Sequence, residues 1–125
     1  MEFTPKKEIA KQFLTLIGNG EIDKAFANYT AQDFKHHNPF FAKEKTALVA
    51  GMKEQFASFP EMKVTILRLI EQNDLVMAHS VVKRQPKAQE VVVVHIFRFK
   101  EHLITEFWDI LQQVPDVIVN ENGTY

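Results

Sequence analysis

Three helices followed by a four-stranded antiparallel meander, an α+β fold, is what the sequence predicts. Up to Pro60, apolar residues recur at intervals of three and four. Beyond it they alternate, or cluster in short β-branched segments separated by turn residues. A helical block followed by a strand block buries its apolar faces by folding one on the other, which places the helices on one face of a curved sheet.

Thr4-Pro5 reads as an N-cap followed by proline at the first helical position, and Ile9, Phe13, Leu16 and Ile17 carry a first helix to about Ile17. Gly18-Asn19-Gly20 supplies a stop. Ile22, Ala25, Phe26 and Tyr29 mark a short second helix that ends near Thr30 and pairs with the first as a hairpin. The segment from Phe34 through His36-His37-Asn38-Pro39 to Phe40-Phe41 has no period, and Pro39 holds Asn38 extended. A third helix covers roughly Lys43 to Phe59, with Leu48, Val49, Met52, Phe56 and Phe59 on one face and Pro60 closing it. Val64 to Glu71 and Leu75 to Lys83 form a hairpin about Asn73-Asp74. After a Gln85-Pro86-Lys87-Ala88 loop, Glu90 to Phe99 and Leu103 to Gln112 form another about Lys100-Glu101-His102, and Pro115 ends it. No repeat or linker interrupts the pattern, so residues 1–125 read as a single domain.

Composition narrows the function classes. The absence of cysteine excludes a disulfide scaffold and cysteine-based zinc sites. A net charge of −1 spread along the chain offers no basic face for phosphates, so no nucleic-acid partner is expected. Apolar runs such as Val91–Val94 are far shorter than the roughly 20 residues that span a bilayer, and Met1–Lys7 lacks a signal-peptide core. A cytoplasmic protein with no membrane partner is the expectation.

The last hairpin carries the clearest chemical signal. If a three-residue turn, Glu101 to Leu103, pairs Lys100 with Ile104, then Phe97 opposes Phe107 and His95 opposes Asp109. A two-residue turn would place His95 opposite Trp108 instead. The first register is favoured, because it gathers His95, Phe97, Phe107 and Asp109 on one face. A carboxylate in apolar surroundings is a stronger base, and an imidazole beside it stabilises the anion or polarises a carbonyl. The pair suits proton abstraction next to a carbonyl, although a His–Asp pair that satisfies only itself has the same pattern.

His36-His37-Asn38 is the second candidate, since extended backbone points the two imidazoles oppositely and sends one toward the interior as a hydrogen-bond donor. His37 is assigned that role, with Asn38 and Phe40 beside it in the pocket; a loop histidine capping a helix is the plainer alternative. His79, on the second strand, is a third candidate whose plainer reading is structural. No closely spaced histidine pair lies on a helix, so no metal site is expected, and neither Ser58 nor Ser80 sits in a glycine-bounded nucleophile turn. On the other face of the last two strands, Val92, Val94, Ile96, Trp108 and Ile110 form an apolar surface that suggests a homodimer.

The run from Tyr29-Thr30 to His37-Asn38-Pro39, the stretch VVVVHIFRF and the stretch LITEFWDILQQVP together resemble the SnoaL-like polyketide cyclase and aldol-condensation group. That group belongs to the nuclear transport factor 2-like superfamily, also called cystatin-like or ketosteroid isomerase-like. The resemblance runs from the first helix to about Asn122. It implies a cone made by a strongly bent antiparallel sheet around helices, a deep apolar pocket and commonly a sheet-mediated homodimer. It also implies chemistry without a cofactor on a hydrophobic small molecule, with Asp109 as acid/base and His95 beside it. Two departures stand out: many similar sequences carry an acidic residue where this chain has His95, and a histidine where it has Phe107.

Overall fold

The computed structural model describes residues 4–84 and 89–125, so the Gln85–Ala88 loop lies outside the described residues. Its elements are α1 (Lys6–Gly18), α2 (Ile22–Tyr29), β1 (Thr30–His36), α3 (Lys45–Ser58), β2 (Lys63–Gln72), β3 (Leu75–Lys83), β4 (Glu90–Lys100) and β5 (Leu103–Gln113). The three helices and the four later strands come in the predicted order, but a further strand, β1, falls between α2 and α3. β1 lies parallel to β5 at the sheet edge, giving the order β1-β5-β4-β3-β2 and a five-stranded mixed sheet in place of an antiparallel four-stranded one. The sheet is not strongly curled, which corrects the expectation of a strongly bent cone.

Pro5 rather than Thr4 is the N-cap of α1, its carbonyl accepting from the Glu8 and Ile9 amides. α1 packs on α2, where the Tyr29 hydroxyl donates to Gln12 Oε1 at 2.8 Å, and the Thr30 hydroxyl closes the end of α2 on the Phe26 carbonyl at 2.6 Å. Gly20 turns the chain between them with φ of +82°, and a Cβ there would stand 2.5 Å from the Phe56 ring, so both conformation and space require glycine.

The core lies between the helices and the inner face of the sheet. Phe13 is its centre, meeting Phe26, Phe97 and Phe107 edge-on at centroid distances of 5.2, 5.8 and 6.2 Å. Ile22, Leu48, Val76, Ala78 and Ile104 close around this aromatic cluster. The aromatic rings fill the space that a deep pocket would occupy.

His95 does oppose Asp109, and Phe97 opposes Phe107. The turn that sets this register is nonetheless not the expected three-residue one. Lys100 pairs with Leu103 across a two-residue turn in which Glu101 has φ of +58°, and Phe99 pairs with Ile104. A bulge between Phe99 and Arg98 then absorbs Thr105 and restores the pairing that brings the imidazole to the carboxylate.

Candidate functional site

The sheet pleat turns His95 and Asp109 inward from neighbouring strands, with side chains 10% and 9% exposed. His95 Nε2 stands 3.5 Å from Asp109 Oδ1, close enough for charge to be felt but not aligned as a hydrogen bond, and neither Asp109 Oδ1 nor the other ring nitrogen, His95 Nδ1, has a hydrogen-bond partner among the described residues. The imidazole stacks on the Phe107 ring at 5.3 Å and 18° and lies 6.1 Å from Phe97. Burial pushes the His95 pKa down, against the opposing pull of the Asp109 carboxylate, and keeps the ring neutral.

The other carboxylate oxygen is held. Asn38 Nδ2 donates to Asp109 Oδ2 at 2.8 Å, while Asn38 Oδ1 accepts from the Phe40 amide at 2.9 Å. Asn38 is placed in turn by His36, whose Nδ1 accepts from the Asn38 amide at 3.1 Å and whose Nε2 lies 2.7 Å from the Ala42 carbonyl. An acceptor role at Nδ1 and a donor role at Nε2 describe a neutral imidazole with its proton on Nε2. The His-Asn-Pro segment thus acts as a bracket that fixes the carboxylate from β1. Parallel pairing makes this possible, because His36 lies beside Phe107, two residues from Asp109.

His95 and Asp109 border the inner end of a pocket of about 100 Å³. Its apolar wall includes Ile17, Ile22, Met52, Val64, Val93 and Leu111, and its polar groups besides the pair are Gln55 and Arg84. This is a narrow slot, smaller than the roughly 150 Å³ cavity that accommodates a benzene molecule, and it corrects the expectation of a deep pocket. A wider depression of about 600 Å³, bordered by Lys6, Glu71, Glu101 and His102, lies at the β4–β5 turn.

The remaining sequence candidates divide between the two faces. Phe97 and Phe107 are fully buried and lie under His95 as its packing floor, outside the pocket lining. Phe40 is 72% exposed, and His37 lies on the outer face, so neither reaches the pocket. His37 Nε2 stands 2.6 Å from Glu106 Oε2, and its ring stacks on Trp108 at 4.9 Å. The Glu106 carboxyl is held below its usual range, first by that histidine and then by Arg98, which also pairs with Asp74. His79 also faces outward, opposite Val94, with Arg68 against its Nδ1. His36 is the site residue that the sequence reading passed over. Phe34, two residues before it and plainly apolar, marks the inward parity of the strand and was the available signal. Among the described residues no three His, Asp or Glu side chains converge as metal ligands would, and no helix is long and apolar enough to cross a membrane.

Residues 10–107 match the model of the SnoaL-like domain, and the chain belongs to that family. No curated protein matches it. Among solved structures, it is similar to an uncharacterized cystatin-fold protein from Novosphingobium aromaticivorans, at 18% identity and a TM-score of 0.73 over 86% of this chain and 98% of that one. It is also similar to a SnoaL-like polyketide cyclase from Agrobacterium tumefaciens, at 12% identity and 0.70 over 90% and 93%. An NTF2-like protein of unknown function from Cytophaga hutchinsonii matches at 10% identity and 0.70, over 90% and 93%. At these identities the likeness is one of fold.

Proposed function

We propose that this SnoaL-like chain is a cofactor-independent enzyme that moves a proton next to a carbonyl, with Asp109 as the base and His95 as hydrogen-bond donor to the enolate oxygen. The observation that carries the reading is the asymmetry of the Asp109 carboxylate: Oδ2 is fixed by Asn38, while Oδ1, beside a neutral imidazole at the end of an apolar slot, has no donor. A proton passes from the α-carbon to the carboxylate. It returns to another carbon in an isomerisation; in an aldol step the enolate carbon closes on a second carbonyl of the same molecule, and the alkoxide so formed takes the proton back from Asp109. Neither route transfers electrons to an outside acceptor, so neither calls for a redox cofactor. The 3.5 Å His95–Asp109 separation is of the kind that tightens when a substrate is bound.

Asp109→Asn tests the reading. It keeps the bracket with Asn38 but removes the base, so α-proton exchange into deuterated water, followed by NMR on ketones that bind, should fall by ~10²–10⁴-fold. Equal rates in the two proteins on a bound compound would overturn it. A second reading, a non-catalytic pocket for a hydrophobic small molecule, is favoured by one feature: Asp109 Oδ1 and His95 Nδ1 are closed off as well as unpartnered. That reading requires binding without exchange. We further infer a homodimer through the outer face of the sheet, where Ile70, Met77 and Ile110 are exposed beside half-buried Val94, Ile96 and Trp108.

A further inference from the structure

The chain has three arginines, and the structure treats them differently. Arg98 is neutralised by Asp74 and Glu106 on the outer face, and Arg68 stands against His79. Arg84 borders the slot that holds His95 and Asp109, and among the described residues it has no carboxylate partner. It is anchored all the same. Its guanidinium lies over the Phe59 ring at 5.6 Å, and with the Gln55 amide oxygen turned toward it, that oxygen accepts from Nε at 3.2 Å and Nη2 at 3.1 Å. A ring face and a neutral oxygen fix the guanidinium without cancelling its charge, which leaves the Nη1–Nη2 end as a preorganised pair of donors at the end of an otherwise apolar slot.

From this we infer that the ligand is an oxo acid, with a carboxylate taken by Arg84 at one end and the reacting carbonyl held at Asp109 and His95 at the other. The spacing selects within that class. Ala78 lies opposite His95, and Arg84 is six residues on, just past the end of β3 at Lys83, a span of at most roughly 20 Å at strand rise that the reach of the two side chains shortens. A carboxylate adjacent to the carbonyl cannot bridge it. The wall between the two ends is aliphatic, with Val82 opposite Val91 and Val93 two residues further toward His95, so the connecting part of the ligand is an apolar chain. A slot of about 100 Å³ accepts only a short unbranched chain of a few carbons and excludes a fused-ring system. The identity of the carbonyl end rests on the proposed acid/base chemistry; the carboxylate end does not.

The test is a titration of the protein with a graded series of methyl-ketone carboxylates, from acetoacetate through levulinate to longer oxo acids, each compared with its methyl ester. Charge-assisted pairing with a fixed arginine corresponds to about tenfold or more in affinity. The longer acids should bind better than their esters by that factor and better than acetoacetate. Arg84→Gln should erase the preference, and Arg84→Lys, which keeps the charge but not the fork, should retain part of it. Equal affinity of acid and ester, a preference that survives Arg84→Gln, or no saturable binding of any acid overturns the inference. Acid preference together with α-proton exchange that ignores Asp109→Asn refutes the proposed chemistry and leaves the Arg84 assignment standing. Exchange that depends on Asp109 without acid preference does the reverse.

Discussion

Phe107→His introduces the side chain that the family resemblance leads one to expect at this position, and the structure predicts that the cost is large. Phe107 is fully buried, with His95 and Phe97 both at 5.3 Å, Phe13 at 6.2 Å and Phe34 at 6.3 Å. An imidazole in that position faces rings on several sides. Any ring nitrogen without a hydrogen-bond partner there loses about 1–3 kcal/mol of solvation, and the reduced apolar transfer adds on the order of 1 kcal/mol. The expected loss is therefore about 2–4 kcal/mol, a substantial part of the 5–15 kcal/mol typical of a domain. Urea unfolding with an unchanged slope measures it, and Phe107→Leu separates lost packing from the buried polar group. The destabilisation should deepen below about pH 6.5, because the unfolded chain then takes up a proton that the buried ring refuses. A loss below about 0.5 kcal/mol, or a gain in α-proton exchange, would refute the reasoning by showing that the position reaches a polar partner or the pocket.

Two further outcomes are expected. Burial places the folded pKa of His95 below its unfolded value of about 6.5, so the unfolded chain binds the extra proton and stability falls as pH drops from about 7 toward 5; His95→Gln should flatten that slope in urea titrations. Glu106, whose pKa is lowered, loses its stabilising contribution only at more acid pH, which keeps the two effects in separate windows. If the outer sheet face is a homodimer surface, light scattering at micromolar concentration gives twice the chain mass for the wild type and the chain mass for Ile110→Lys. A monomeric wild type removes the proposal.

Local pattern revealed most of the elements, and the exceptions share a physical cause. The helices and the two hairpins are contiguous in sequence, so spacing and turn residues announce them. β1 is not: its TAQDFKH sequence exposes Gln32, Asp33 and Lys35, and its partner β5 lies about seventy residues away. An edge strand with one covered side and a parallel, non-local partner has neither a hairpin turn nor strict alternation to reveal it.

The choice of His37 over His36 followed from missing that strand. Once Phe34 fixes the inward parity, His36 belongs to the interior and His37 to the Trp108 face. The His95–Asp109 pairing was legible for a different reason. The sequence suggests a three-residue turn, whereas the chain uses a tighter one and places a bulge at Thr105. Both routes shift the register by one residue, and burial of both Phe97 and Phe107 selects between the alternatives because a slip would turn one of the two rings to solvent. The register therefore records the core, and the imidazole and carboxylate meet because they share a face with the residues that cannot be moved. Local turn chemistry carried no information about the pair, and the aromatic parity on either side of it carried nearly all.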